Sequence, residues 1–402
     1  MTTDTYVFDP FAAGFAEDPY PHYDRLRATA PVHEHPLGFW IVSKYEDAAA
    51  LQRSAQSVDE QDLTRLPTWK SDSGRLGKEN RMMRGLSMLD RNPPDHTRLR
   101  RLVAKAFTPR AIEALRPRAE ALVDAALDRI AEAGTPDVVA ELAFPVPFAL
   151  ISEMLGIPVV EHTRLRELTA RLVLALEPLP DPALQAEVRS ANEELFAMVG
   201  NLVRWKRTAP GDDLLSRLIT AEHDGDVLSE DELVAQVMLL YIAGHETTVN
   251  HLANGVLALL RHPDQARRLR EDPALAENAV AELLRYDTPV QLMRRITVES
   301  VPIGGSVIPP GSLVLACVGA ANRDPEFWGA DGGELHLDRP NAQQHLSFGA
   351  GIHHCLGAAL VRLEARAAFT RFVRRFPEAT IEELRWNGRI NVRGPAELSI
   401  SV

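Results

Sequence analysis

The sequence holds only two cysteines, Cys317 and Cys355, too few for a disulfide framework. A chain without cross-links suits a reducing compartment, where a lone thiolate can persist. No run approaches the roughly 20 apolar residues that a membrane-spanning helix needs. The opening MTTDTYVFDPFAAGFAEDPY is acidic and lacks the basic and apolar regions of a signal peptide. A cytoplasmic protein with no membrane partner is expected. Positive charge is also scarce: the formal net charge is −12, which disfavours nucleic acid as a partner. No internal repeat, low-complexity tract or Gly/Ser linker interrupts the sequence. Although 402 residues could make two or three domains, they read as one, spanning 1–402.

What is present is the composition of a folded globular protein, 45% hydrophobic and 25% charged. A chain this long can bury a large core and enclose a bulky cofactor. Its charge is uneven. Residues 81–118 hold ten Lys or Arg against Asp90, Asp95 and Glu113, a local +7. Arg362, Arg366, Arg371, Arg374 and Arg375 follow Cys355, opposed only by Glu364. The default meaning of such runs is solvated helix faces.

The order of elements is mainly α with small β-sheets. PVHEHPLGFWIVS (31–43) reads as a hairpin, and 295–318 alternates β-branched runs with turns, Pro310-Gly311 fitting a type II turn. Helix-rich stretches are expected over 92–290 and 345–376. In 114–134, Leu115, Ala119, Leu122, Ala126 and Ile130 form one stripe and Gly134 a natural stop. The longest pattern runs from Leu228 to His262, opened by a Ser229/Glu232 capping box and closed by Pro263. At 1.5 Å per residue it spans roughly 50 Å, and its nearly all-apolar VAQVMLLYIAG segment marks a helix crossing the interior.

Three constellations carry chemistry. In HLSFGAGIHHCLG (345–357) a glycine-rich turn runs into an amphipathic helix with Cys355 at the junction. A helix N-terminus and backbone N–H groups of the Gly349-Ala350-Gly351 loop are expected to lower the thiol pKa, as a metal ligand requires. Gly357 removes a side chain where a flat macrocycle would collide. The bland alternative is a buried structural cysteine. Zinc fits poorly, because adjacent His353, His354 and Cys355 cannot make three tetrahedral corners. The second constellation, Ala243-Gly244-His245-Glu246-Thr247-Thr248, weakens the middle of the apolar helix with glycine and β-branched residues. A local opening is expected there, with Thr bonding the carbonyl one turn back. Glu246 is a carboxylate in an apolar setting and so a functional candidate. A zinc-protease H-E-x-x-H is excluded by Val249. The third, Glu282 with Arg285, is on its own most often a surface salt bridge.

In this order and spacing the motifs resemble the cytochrome P450 superfamily, specifically its soluble bacterial members. Phe348, Gly351, His353, Cys355 and Gly357 match its F-x-x-G-x-[RH]-x-C-x-G pattern, AGHETT its oxygen-activating segment and ELLR its E-x-x-R pair. AANRDP (320–325) and NPPDHTRLRRLVAKAFTPR (92–110) match further stretches, so the likeness runs from EDPYPHYDRLR to VRGPAELSI. It implies the P450 fold, with a long central helix over haem b (iron protoporphyrin IX). Cys355 would be the axial metal ligand, its thiolate favouring O–O cleavage. Ala243, Gly244, Phe348, Gly349 and Gly357 would border the haem, and His96, Arg100, Arg295 and His353 would bind its propionates. His353 stands where many members have arginine, which implies a weaker, more pH-sensitive contact. Glu246 and Thr247 would be the acid–alcohol pair that delivers protons. Glu282 and Arg285, with Arg339, would form a structural scaffold.

The implied activity is a haem-thiolate monooxygenase that inserts one atom of O2 into an apolar small molecule by hydroxylation or epoxidation. Electrons would come from NAD(P)H through a ferredoxin or flavodoxin-type donor, and a monomer is expected. The basic clusters would steer that donor. Desaturation or oxidative coupling on the same fold is the alternative, and a non-catalytic haem sensor a further one, which has no use for the Glu246-Thr247 relay. The likeness places the substrate pocket in the 57–91 loop and at Leu239, Leu240, Ala243, Val290, Gln291, Met293 and Val392. This lining suits a macrolide, polyketide, terpenoid or steroid-like molecule equally well.

Overall fold

The computed structural model describes residues 6–65, 82–105, 107–177, 182–223 and 225–402. Its frame is a set of helices around one rod, Glu230–Arg261, which is 32 residues long. The capping box starts it: Ser229 Oγ accepts from the Glu232 N–H at 3.2 Å and Glu232 returns the bond to Ser229 N–H at 2.9 Å. The rod is helical throughout, so the expected opening at its middle is not there. Thr247 and Thr248 do bond back to the Ala243 and Gly244 carbonyls as expected, at 2.9 and 3.2 Å. Gly244 has a packing reason, because a Cβ would stand 3.1 Å from Ile151.

Two apolar clusters flank the rod. Leu233–Ile242 packs with Pro145–Leu155, His162–Leu172 and Pro182–Thr208, which form a roof. Val249–Leu259 packs with Arg116–Glu132, Ala276–Tyr286 and Ala358–Arg375. Gln236, a polar residue within the apolar stretch, pins the loop 82–91 to the rod. It donates to the Leu86 carbonyl at 3.0 Å and accepts from the Met88 N–H at 3.0 Å.

Both predicted β regions form. Val32–His35 pairs with Phe39–Val42, which lies parallel to Leu313–Cys317, and Leu292–Ile296 closes this four-stranded sheet. Gly311 takes φ +75°, as a type II turn requires. A C-terminal hairpin, Thr380–Trp386 with Pro395–Ser401, was not foreseen. In the 114–134 stretch the helix covers Arg116–Glu132, capped by Ala133 rather than Gly134. Its buried stripe is Ala119, Val123, Ala126, Leu127 and Ile130, so Leu115 and Leu122 sit at the edge of the packed face. Among the described residues no helix is long and apolar enough to cross a membrane.

Candidate functional site: a cysteine loop, a cationic cradle and a relay face

Cys355 sits between the turn Gly351–His353 and the helix Ala358–Arg375. Its N–H donates to the Phe348 carbonyl at 2.8 Å, which folds the loop back on itself. Gly351 is required at φ +72°, since a Cβ would also lie 2.9 Å from the Gln52 carbonyl. Arg362 covers the Phe348 ring at 4.8 Å. Burial raises the Cys355 thiol pKa, against the N–H groups of Gly357 and Ala358 and the charges of Arg100 and Arg362. This corrects the sequence expectation twice. The N–H donors come from the helix start rather than from the Gly349-Ala350-Gly351 loop, and the protein alone does not lower the thiol pKa. A bound metal cation would supply the missing bias toward thiolate.

Around this loop lies a cationic cradle. His96 and Arg100 are one turn apart on Asp95–Ala104, Arg295 lies on Leu292–Ile296, and the His353 ring lies tilted against that of His96, centroids 4.2 Å apart. Along the strand, Arg294 faces Glu60 and Asp90 at 2.5 and 3.2 Å. Its neighbour Arg295 points to the other side and bonds only the Arg294 and Gln52 carbonyls. Arg100 donates to the His354 carbonyl at 2.6 Å. Among the described residues neither Arg100 nor Arg295 has an acidic partner, and both ring nitrogens of buried His96 lack any. Burial, with Arg294 beside it, pushes even Arg295 down to about 10. Burial together with His96, Arg295 and Arg100 pushes His353 down to about 3.

The two guanidiniums without carboxylate partners call for anions, with His96 and His353 as neutral donors beside them, and the two propionates of haem would meet that demand. The cysteine side fits the same group. A Cβ on Gly357 would find only Cys355 Sγ within 4 Å, at 3.9 Å, so the protein itself does not exclude a side chain there. A flat group held by Cys355 would need that space kept clear.

On the central helix, Leu239, Ala243 and Thr247 follow at intervals of four and share a face. Ala243 is exposed although the residues on the preceding turn are buried. Glu246 is not the unpaired carboxylate its setting suggested. Its Oε1 lies 3.5 Å from His245 Nε2 and its Oε2 lies 3.5 Å from Arg389 Nη1. Burial works to raise its pKa, but His245 and Arg389 outweigh it and hold the carboxyl below its usual range. Arg389, on the loop between the C-terminal strands, is a residue the sequence motifs do not reveal.

Glu282 and Arg285 are no surface pair. Both side chains are 0% exposed, bonded bidentately at 2.6 and 2.7 Å. Arg339 adds a bond to Glu282 at 3.1 Å, and Arg285 ties the carbonyls of Asn322, Gly332 and Glu334.

Of the proposed pocket residues, Leu239 and Leu240 are buried in the roof cluster, Val290 bridges Val392, and Met293 lies against Gly349. Gln291 is fully buried, donates to the Thr288 carbonyl at 2.5 Å and packs against Gly319. Residues 66–81 of the expected pocket loop lie outside the described residues. Many basic-cluster cations are neutralised. Arg84, Arg91, Arg98, Arg116, Arg118, Arg371 and Arg375 all have acidic partners. Arg101, Arg110, Arg366 and Arg374 are exposed.

Two buried histidines behind the site make stability pH-dependent. Burial pushes His251 and His345 down to about 3, His345 also through Arg362 and other nearby positive groups. Unfolded, each titrates near 6.5. As pH falls below that value the unfolded chain takes up protons that the fold refuses, so stability is lost with falling pH. The expected loss by pH 5 is about 2 kcal/mol per histidine. Denaturant midpoints at pH 7 and 5 check this, and His251→Asn should flatten the dependence.

The cytochrome P450 family model matches residues 68–384. Cytochrome P450 107B1 of Saccharopolyspora erythraea is 41% identical, covering 100% of this chain and 99% of its own. Vitamin D(3) 25-hydroxylase of Pseudonocardia autotrophica is 38% identical over 100% and 98%. The structure of P450BioI in complex with a hexadec-9Z-enoic acid ligated acyl carrier protein superposes with a TM-score of 0.89. It is 34% identical and covers 97% of this chain and 100% of that one. The chain belongs to the cytochrome P450 family of oxygen-incorporating oxidoreductases, for which haem bound through a cysteine thiolate is the implied cofactor.

Proposed function

We propose that the enzyme inserts one oxygen atom from O2 into an apolar small molecule, by hydroxylation or epoxidation. The observation that carries this reading is the relay face. An accessible turn in a buried helix carries the Thr247 hydroxyl, and the next residue toward the N-terminus is Glu246, whose carboxyl His245 and Arg389 hold below its usual range. When bound, haem supplies the electron-rich iron at which dioxygen is reduced. Cys355 would hold it from one side, and His96, Arg100, Arg295 and His353 would hold its propionates. The Thr247 hydroxyl parks its proton on the Ala243 carbonyl at 2.9 Å, leaving its lone pairs free to accept. Glu246, facing Arg389 and solvent, takes up a proton and passes it to Thr247, whose hydroxyl then turns from the carbonyl to donate.

Thr247→Ala keeps cofactor and substrate binding but removes this last donor. General acid assistance is worth about 10²–10⁴-fold, so product per electron is expected to fall steeply while peroxide rises. Coupling that stays at the wild-type level rules the role out. The mass of the product distinguishes oxygen insertion from desaturation or coupling.

Substrate chemistry is read from an apolar lining, Leu239, Leu240, Val290, Met293 and Val392, with the relatives' apolar ligands in support. A compound screen for shifts of the haem absorption band would identify the class. The electron donor is proposed to be an acidic ferredoxin-type protein, reaching the cysteine side across Arg101, Arg110, Arg366 and Arg374. Its reduction rate should fall steeply with salt, as the Debye length shortens to about 8 Å near physiological ionic strength. Arg101→Glu and Arg366→Glu should slow transfer without changing substrate affinity. Salt-independent kinetics would return these cations to the role of solvated helix faces.

A further inference from the structure

We propose that Glu177 is a positioning residue for proton delivery, holding Arg389 against Glu246 by clamping the loop between the two C-terminal strands. The proposal rests on Glu246 as the relay carboxylate.

Glu177 follows the helical turn Val173–Leu176, which continues the roof helix His162–Leu172. Its two oxygens take three successive backbone N–H groups. Oε2 accepts from Ile390 and Asn391 at 2.9 and 2.8 Å, and Oε1 accepts from Val392 at 2.8 Å. Consecutive N–H groups converging on one point form an anion nest, and charge-assisted bonds of this kind are the strong ones. Asn391 fastens the loop further, donating to the Leu176 carbonyl at 3.1 Å and accepting from the Leu292 N–H at 2.9 Å. Arg389 is the residue just before this clamped triplet. Its own N–H is held by Asn387 Oδ1 at 3.0 Å, and its Nη1 reaches Glu246 at 3.5 Å.

The other partner of Glu246 is tied to the same roof segment. His245 is fully buried, its Nδ1 2.7 Å from the Tyr241 carbonyl and its Nε2 3.4 Å from Thr169 Oγ1 on the roof helix. Among the described residues, His245 from its own helix and Arg389 from the loop are the charged or titratable groups that act on Glu246. Both are therefore seated by His162–Glu177. With Glu177 docked, Arg389 favours the ionised carboxylate. With the clamp removed, Arg389 is free to leave, and Glu246 binds its proton at higher pH.

The test is a pH titration of the Glu246 carboxyl by infrared difference spectroscopy on the resting ferric holoenzyme. The band is assigned by its loss in Glu246→Gln. Glu177→Ala and Arg389→Gln should both move the titration upward. The double variant should move no further than Arg389→Gln alone, because the two act in series. Glu177→Gln, whose single carbonyl oxygen cannot serve all three N–H groups, should lie between wild type and Glu177→Ala, and it carries the test if the alanine variant does not fold. An unmoved titration in a folded Glu177 variant overturns the proposal, even if its thermal midpoint falls, because that is loop stapling alone. An additive shift in the double variant overturns it too. No turnover is involved, so failure here is distinct from failure of the Thr247 coupling test.

Discussion

Cys355→His is expected to abolish the red-shifted Soret band of the reduced carbon monoxide complex and to take oxygen insertion to background. The reason is electronic. A thiolate pushes electron density toward the bound iron, and a neutral imidazole does not. The loop geometry makes the loss specific. Cys355 is tied by its N–H to Phe348, and of the cradle residues His96, Arg100 and Arg295 stand on other elements, with Arg100 alone of these acting on the thiol through its charge. Haem should therefore still bind through its carboxylates. A variant that retains haem but shows a globin-like spectrum is the expected outcome. Wild-type protein with that same globin-like spectrum would remove the thiolate assignment altogether.

Glu282→Ala should be the most destabilising single substitution. It leaves Arg285 and Arg339, 0% and 5% exposed, without the carboxylate they share. Breaking a buried pair by removing one partner costs about 3–5 kcal/mol, a large part of the 5–15 kcal/mol typical of a folded protein. Arg285 also gathers the carbonyls of Asn322, Gly332 and Glu334, so the segment leading toward the cysteine loop loses its anchor. Denaturation midpoints and haem retention should fall together, less so in Glu282→Gln. A variant that keeps both would mean the arginines find other acceptors.

The parts of the site that were legible in the sequence are those whose chemistry is local. The cysteine loop announces itself through glycines around a thiol at a helix start, and the central helix through its capping box and apolar length. Burial was not legible for Glu282 and Arg285, because an i, i+3 spacing is the same on a surface and in a core. The clamp of Glu177 and the position of Arg389 rest on contacts between segments far apart in the chain, which no local pattern encodes. The hairpin Thr380–Trp386 with Pro395–Ser401 was missed because TIEELRW carries charged side chains along much of its length.

The central helix is shared by two apolar clusters, Leu233–Ile242 belonging to the roof and Val249–Leu259 to the cysteine side. The residues between them, Ala243 to Thr248, carry the proposed relay. The separation is not complete, because Phe144 packs against both clusters and Leu356, beside the sulfur, joins the roof cluster. A change of volume in the roof is therefore expected to reach the surroundings of the sulfur through these two side chains. Paired substitutions, one in each cluster, should depart from additivity most when they touch Phe144 or Leu356.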